Sequence, residues 1–369
     1  MRIYEYIIAA AALVLSVCGC ARGSGGTGAG DDPQPQFLDI EELPEGGYSL
    51  TSVSPFDGSR DTLVVDRPLR RLIVMSTSHI GFLRAIGSEE AIAGVSGSEY
   101  VCDTAVARMV GEGAVLDVGY EAAPDYEKIL GLKPDLLLTY SVSTSESRFI
   151  SRLKSLGIKT FIVNEHLESH PLARAAYVRL FGALTGKMAA ADSVLRTVSA
   201  GYTALRDSVR KEGDCPRKIL VNIPYKDQWY IPGGDNYLTT LFRDAGGQIL
   251  GAVPGTSVSR STSIEEAYGL SKEADLWMDV SWCSTRSQLL EVNPLFEDFI
   301  GNISRNAEAA GHNGESIVWN DNKRLNPKGG NDFWESGVTR PDLLLRDLTR
   351  IFHPAGEQEA EIIYYREVR

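Results

Sequence analysis

Between Pro171 and Glu212 the chain has no strand pattern, although an alternation of strand and helix patterns runs on both sides of it. From Met188 the apolar positions Ala191, Val194, Leu195, Val198, Tyr202, Leu205 and Val209 recur at three- and four-residue spacing. That spacing predicts one continuous amphipathic helix. Residues 188–212 would extend roughly 37 Å at about 1.5 Å per residue. With α/β patterns on both sides of it, the expected plan is lobe, long helix, lobe.

The flanks support the division. Before the break, Arg71–Met75, Ala91–Val95, Asp135–Tyr140 and Lys159–Val163 read as strands. Helical patterns at His79–Ile86, Asp125–Leu132 and Phe149–Leu156 separate them, closed by Gly87, Pro134 and Gly157. After Pro216 the rhythm resumes with Lys218–Ile223, Trp229–Pro232, a helix over Tyr237–Ala245 and a strand at Gln248–Leu250. Ile264–Leu270, Ala274–Val280 and Ser316–Asn320 continue it, and a helix over Pro341–Phe352 closes the body. Strands punctuated by Gly and Pro and separated by helices indicate parallel sheets. The expected fold is α/β: two Rossmann-like lobes with parallel sheets, joined by one long backbone α-helix, with a ligand cleft between the lobes. The expected boundaries are an N-terminal lobe at 46–170, led by a hairpin of Tyr48–Val53 and Asp61–Val65, a helical linker at 171–212, a C-terminal lobe at 213–354 and a tail at 355–369.

The start of the chain reads as an export signal. Arg2 precedes an apolar stretch from Ile7 to Val17 that is too short to span a bilayer. Val17-Cys18-Gly19-Cys20 resembles a bacterial lipoprotein box, with 1–19 removed and Cys20 acylated. Cys18 is the poorer acceptor because branched Val17 precedes it, and an ordinary cleaved signal with incidental cysteines is the alternative. Residues 20–45 begin with a Gly/Ser-rich run and continue through Asp31-Asp32-Pro33-Gln34-Pro35-Gln36, which predicts a flexible tether. The body is therefore expected in the cell envelope, on the periplasmic face of a membrane. A net charge of −12 argues against nucleic acid. Past the signal only Cys102, Cys215 and Cys283 remain, which leaves room for one disulfide and an odd thiol. No Cys or His spacing suggests a metal site, and no cofactor is implied.

Polar and aromatic residues collect at the predicted strand ends: Ser76-Thr77-Ser78-His79, Tyr100, Tyr140-Ser141, Trp229-Tyr230, Trp282 and Trp334. Ligands of open α/β sheets bind at such ends. Catalysis finds no support. Gly94-Val-Ser-Gly97 has the wrong spacing for a nucleophile elbow, and Gly182-Ala-Leu-Thr-Gly186-Lys187 is one residue short of a phosphate loop. A hydrolase or an adhesin remains only as a remote alternative.

Several segments, in order, carry a family resemblance. Arg71 to Gly87 with Ala93-Gly-Val-Ser96, Glu127-Lys-Ile-Leu-Gly-Leu-Lys-Pro-Asp135, Pro232-Gly-Gly-Asp-Asn-Tyr237 with Asp244-Ala-Gly-Gly247, and Arg340-Pro-Asp-Leu-Leu-Leu345 resemble the helical-backbone class (class III) of ABC-transporter solute-binding lipoproteins. Asn320-Asp-Asn322 and the closing Glu361-Ile-Ile-Tyr-Tyr-Arg366 are not accounted for by it. The resemblance implies a monomeric, non-enzymatic receptor that hands a metal chelate or tetrapyrrole to an ABC permease and its ATPase. Ferric siderophore, haem and cobalamin are the ligands it implies, in that order of expectation. It places Glu127 and Glu265, each near the start of a helix, against permease arginines. Glu266 is an alternative to Glu265, and stabilisation of the helix dipole is the plain structural reading of all three. In the cleft it places Tyr100 and Tyr140 on one wall and Trp229 and Trp282 on the other, with packing in the core an equal alternative for the two tryptophans. Ser78 and His79 lie at a strand end, His79 being either a haem-iron ligand or a satisfied polar residue. Arg260, Arg286 and Arg324 are candidates for gripping anionic ligand groups.

Overall fold

The computed structural model describes residues 33–141, 147–213, 216–354 and 361–369. The expected signal peptide with Cys20, and Cys215, lie outside these residues. The first lobe is built on a five-stranded, wholly parallel sheet in the order Thr160–Ile162, Leu136–Thr139, Leu72–Val74, Ile92–Val95, Leu116–Asp117. The second lobe repeats the plan in the order Gly247–Ile249, Arg217–Val221, Leu276–Met278, Val318–Asn320, all parallel, with Arg366–Glu367 added antiparallel at one edge. Leu72, Ile73 and Val74 are fully buried, as the short all-apolar runs of a sheet covered on both faces should be.

One helix, Met188–Glu212, runs unbroken for 25 residues, as the periodicity predicts. It packs into the first lobe through Ala191 near its start and enters the second-lobe core farther along through Val198 and Tyr202, 2% and 0% exposed. The helix Pro341–Phe352 lies along it and inserts Leu345 and Leu348 into the same second core. One side-chain stripe therefore belongs to two hydrophobic cores, and bending the helix would open both.

The lobes also repeat a small device. In Lys133-Pro134-Asp135, Lys133 ends its helix in the left-handed region at φ 47°, and Asp135 accepts hydrogen bonds from the amides of Arg70 and Arg71 at 2.9 and 3.0 Å. In the second lobe Asp275 accepts from the amide of Lys218 at 2.9 Å. Each aspartate thus pins the start of one strand to that of its neighbour.

Two boundaries move. The range expected to be a tether contains a strand, Leu38–Glu42, which pairs antiparallel with Tyr48–Val53; with Arg60–Val65 it turns the expected hairpin into a three-stranded sheet. Glu168 fixes its entry by accepting from the amides of Gln36 and Phe37 at 3.0 and 3.1 Å. The expected tail supplies the sheet edge Arg366–Glu367 and buries Tyr364, Tyr365 and Val368 in the second core. The helix Phe296–Ala309, absent from the sequence reading, covers one face of that lobe with Phe296 and Phe299 fully buried. Cys102 and Cys283 are free thiols.

A second attachment joins the lobes besides the long helix. From the loop after Val318–Asn320, Asn326 donates to the carbonyls of Glu99 and Val101 at 2.8 and 2.9 Å. Glu335 accepts from the amides of Cys102 and Asp103 at 2.8 and 2.6 Å. Close approach requires glycine here: a Cβ on Gly330 would lie 2.1 Å from the Tyr100 carbonyl oxygen. Among the described residues no helix is long and apolar enough to cross a membrane.

Candidate functional site

Three parallel strands of the second lobe, Arg217–Val221, Leu276–Met278 and Val318–Asn320, end at one cavity of about 610 Å³. The residues that follow each strand line it: Asn222 after the first, Asp279, Ser281 and Trp282 after the second, and Asp321 and Asn322 after the third. Tyr225, Tyr230 and Trp334 extend the wall toward solvent at 67%, 40% and 41% exposure. Asn222, Asp279 and Ser281 occupy the left-handed region at φ 69°, 58° and 57°. Non-glycine residues seldom adopt that conformation, and its clustering at one set of strand ends marks backbone held in shape for a site.

The electrostatics of the cavity are acidic and uncompensated. Burial pushes the carboxyl groups of Asp279 and Asp321 up, and the negative charge of Asp321 pushes Asp279 further. Asp279 Oδ1 has no hydrogen-bond partner. No arginine or lysine is among the residues that line this cavity.

Across the cleft, the first-lobe strand ends carry a closed polar network. Glu165 and Arg174 are 3% and 7% exposed and form an ion pair at 2.6 Å. Burial raises the Glu165 carboxyl, but the Arg174 charge with hydrogen bonds from Arg174 and Ser78 outweighs it and holds the group below its usual range. The Arg174 guanidinium lies 4.5 Å above the Tyr237 ring of the second lobe, so the network also seals the lobe junction.

The residues singled out from sequence fall into distinct groups. Trp282, 56% exposed, lines this cavity, and Tyr100, 44% exposed, is at the surface of the first lobe. Tyr140 is half-buried, edge-on to His166 at 5.9 Å between centroids. Trp229 does not form a facing wall. It is 1% exposed, donates to the Val221 carbonyl at 2.9 Å and stacks against Trp277 and Phe299, while its neighbour Tyr230 takes the cavity side. Ser78 is buried with its hydroxyl 2.8 Å from that of Ser76. His79 is 1% exposed, lies against the Phe181 ring, and is pushed down to about 4 by burial. A ring so enclosed has no approach for a haem iron.

The arginines do not grip the cavity either. Arg260 donates to the Gly251 carbonyl and pairs with Glu266 at 2.7 Å. Arg286 pairs with Glu297 at 2.5 Å, and Arg324 with Asp332 at 2.7 Å. Arg324 lines a separate cavity with Cys102, Glu335 and the backbone-helix residues Ser193 and Thr197. Glu127 and Glu265 are exposed and equivalent, each the second residue of its helix after the caps Asp125 and Ser263. Glu266, in contrast, is engaged by Arg260 and Thr262.

The sequence reading missed Asp279, Asp321, Asn222 and the Glu165–Arg174 pair. A usable signal existed for the first two. An aspartate follows directly on the buried strand Leu-Trp-Met and another on Val-Trp-Asn, where parallel strands deliver their ligand-facing groups.

The family described as periplasmic binding protein matches residues 72–300. Among curated relatives, an uncharacterized lipoprotein of Methanocaldococcus jannaschii is 28% identical over 79% of this chain and 67% of its own length. A cobalamin-binding protein of Halobacterium salinarum is 24% identical over 57% of this chain, which spans only 54% of that protein. Among solved structures, a periplasmic binding protein from Veillonella parvula aligns over 84% of this chain and 99% of its own, with TM-score 0.61 and 17% identity. A periplasmic haem-binding protein from Pseudomonas aeruginosa aligns over 82% and 98%, with TM-score 0.56 and 13% identity.

Proposed function

The chain belongs to the periplasmic binding protein family, and we propose that it is the lipid-anchored receptor of an ABC importer for a planar metal tetrapyrrole, cobalamin ahead of haem. The observation that carries this reading is the composition of the second-lobe cavity: Tyr225, Tyr230, Trp282 and Trp334 beside Asn222, Asn322 and two aspartates, without a cation among the lining residues. Flat aromatic faces suit a macrocycle. Carboxamides and carboxyls suit the amide-fringed edge of a corrin, whereas haem propionates and the catecholate or carboxylate class of ferric siderophores are anions that call for arginine or lysine. Arg260 and Arg286, which favoured a siderophore on sequence grounds, are ion-paired elsewhere. The cobalamin-binding relative supports the same order.

Titration of the purified protein with cyanocobalamin, haemin and a ferric siderophore, followed by absorbance and calorimetry, tests the assignment. Cyanocobalamin is expected to bind most tightly; a haem spectrum on natively purified protein with no affinity for cobalamin would overturn it. Glu127 and Glu265 support permease docking through their equivalent exposed positions on the two lobes. Charges at a docking surface set recognition rather than ligand affinity. The double variant Glu127→Gln/Glu265→Gln is expected to fold and bind ligand normally but to lose uptake in a reconstituted transporter; retained uptake would refute the docking role.

A further inference from the structure

The starts of the first-lobe strands gather charge of one sign. Arg71 precedes Leu72–Val74, Asp135 precedes Leu136–Thr139 and Lys159 precedes Thr160–Ile162, and these three strands are neighbours in the sheet. Backbone hydrogen bonds fix the row: the Asp135 amide donates to the Arg71 carbonyl and the Leu137 amide to the Lys159 carbonyl, both at 2.9 Å. Strands stand about 4.8 Å apart, so the row is about 10 Å wide. Arg67 and Arg70 lead into the first of these strands, and Lys133, which caps the helix Tyr126–Leu132, leads into the second. Arg67, Arg70, Arg71, Lys133 and Lys159 are all exposed. The same segments carry the carboxylates of Asp66 and Asp135, and Asp135 is taken up by the amides of Arg70 and Arg71, with Arg67 3.8 Å away. Arg70, Lys133 and Lys159 form no ion pair among the described residues.

The corresponding ends of the second lobe are balanced, so strand starts do not in themselves call for basic residues. There Arg217 is buried against Glu315 at 2.9 Å. Lys218 and Lys272 are accompanied by Glu273 and by Asp275, which accepts from the Lys218 amide at 2.9 Å.

In a chain of net charge −12, one basic face gives the first lobe a direction. Charges within about 8 Å of a surface decide whether it attracts at physiological ionic strength, because those farther off are screened. Glu127 and Lys133 stand at opposite ends of one helix of seven residues. That helix is about 10 Å long. The basic face therefore looks away from the end of the lobe that carries Glu127 and the strand ends of the cleft.

Building on the reading of the chain as a lipid-anchored receptor, we propose that this face seats the first lobe on the anionic headgroups of the membrane that holds the anchor. The 13 residues from Cys20 to Asp32 precede the described body. Chain of that length reaches at most about 45 Å. The strands of the first sheet have at most four residues. They are therefore about 13 Å long. Such a leash lets the lobe rest with either end toward the lipid. Seated on its basic face, the receptor holds its cleft and Glu127 toward solvent, open for capture. Docking through Glu127 must lift that face away, so lipid and permease are alternative seats.

The probes are vesicles of equal parts phosphatidylglycerol and phosphatidylcholine, against vesicles of phosphatidylcholine alone. The mature chain carrying Cys20→Ala keeps every described residue and removes the lipid, so flotation reads the face itself. It is expected to float with the anionic vesicles at about 0.01 M salt, to be released at about 1 M, and to ignore the neutral ones. Each basic residue close to an anionic surface changes partition roughly fivefold. Arg70→Gln/Lys133→Gln/Lys159→Gln should therefore lower partition by about 100-fold, and each single variant by about fivefold. Lys218→Gln/Lys272→Gln, on the second lobe, should leave it unchanged. The three first-lobe side chains are exposed, so the thermal midpoint should not move. Equal binding to both kinds of vesicle, or undiminished partition of the triple variant, overturns the lipid seat and leaves the cobalamin reading to its own titration. Wild-type protein recovered without acylation and outside the membrane fraction overturns the anchor and the seat together.

Discussion

The two lobes have the same architecture and put it to opposite uses. Each has a parallel sheet pinned by an aspartate, Asp135 or Asp275, and each carries an exposed glutamate at the second position of the preceding helix. At the strand ends they diverge. In the first lobe Glu165 meets Arg174 and both are almost wholly enclosed, with Ser78 and His79 buried around them. In the second lobe the equivalent ends open into a cavity where carboxylates lack cations and aromatic rings face solvent. A fold of this kind offers a site at every set of strand ends. Here one set closes the junction between lobes, and the other opens into the cavity proposed above as the ligand site.

That contrast can be broken by experiment, and the largest effect belongs to the first lobe. Arg174→Met leaves Glu165 buried without its partner, which is expected to cost about 3–5 kcal/mol in chemical denaturation. Asp279→Asn in the second lobe replaces a carboxyl that burial already pushes toward its neutral form and whose Oδ1 has no partner, and is expected to be neutral or stabilising. Equal losses in the two variants would erase the distinction. Next comes pH. Because His79 is held neutral, with a folded-state pKa of about 4 against 6.5 unfolded, its contribution is complete above pH 6.5 and is lost as the pH falls toward 4. Urea unfolding at pH 7 and 5 should show a loss of about 2 kcal/mol from this residue, absent in His79→Gln. The smallest effect sharpens the second-lobe half. Trp282→Ala should weaken cyanocobalamin binding by about tenfold with little change in thermal midpoint, since the ring is more than half exposed. A fall in stability without a change in affinity would return Trp282 to a packing role.

The elements legible in the sequence are those whose signal is long. The three-and-four spacing from Met188 to Val209 covers about six turns, and no short accident imitates it. The helix Pro341–Phe352 was fixed by proline at its first position and a broad apolar stripe. The strand Leu38–Glu42 was hidden because its partner, not its composition, makes it a strand: only Leu38 and Ile40 are apolar among acidic neighbours. The site was less legible for a related reason. Trp229 and Tyr230 are adjacent on a strand whose faces alternate, so one residue of register decides which ring is core and which is cavity wall. Arginine availability cannot be read from sequence either, since Arg260 and Arg286 find carboxylates that only the fold brings near. In the segment Asn320-Asp-Asn322, left unassigned on sequence grounds, Asp321 and Asn322 line the cavity because they follow a strand of the central sheet.

The double attachment of the lobes, through Met188–Glu212 and through Asn326 and Glu335, has a kinetic consequence. A receptor that must fold around its cargo pays for the rare competent conformer in every encounter, and its apparent affinity falls by the fraction of time spent in that state. Lobes held at a fixed separation would reduce this factor in the proposed receptor, and capture would then approach the rate of productive collision. Variants of the cavity should then leave the association rate nearly constant and express their differences in residence time. In the proposed receptor, release of the ligand by separation of the lobes would require these hydrogen bonds to break, a step that docking to the permease could drive.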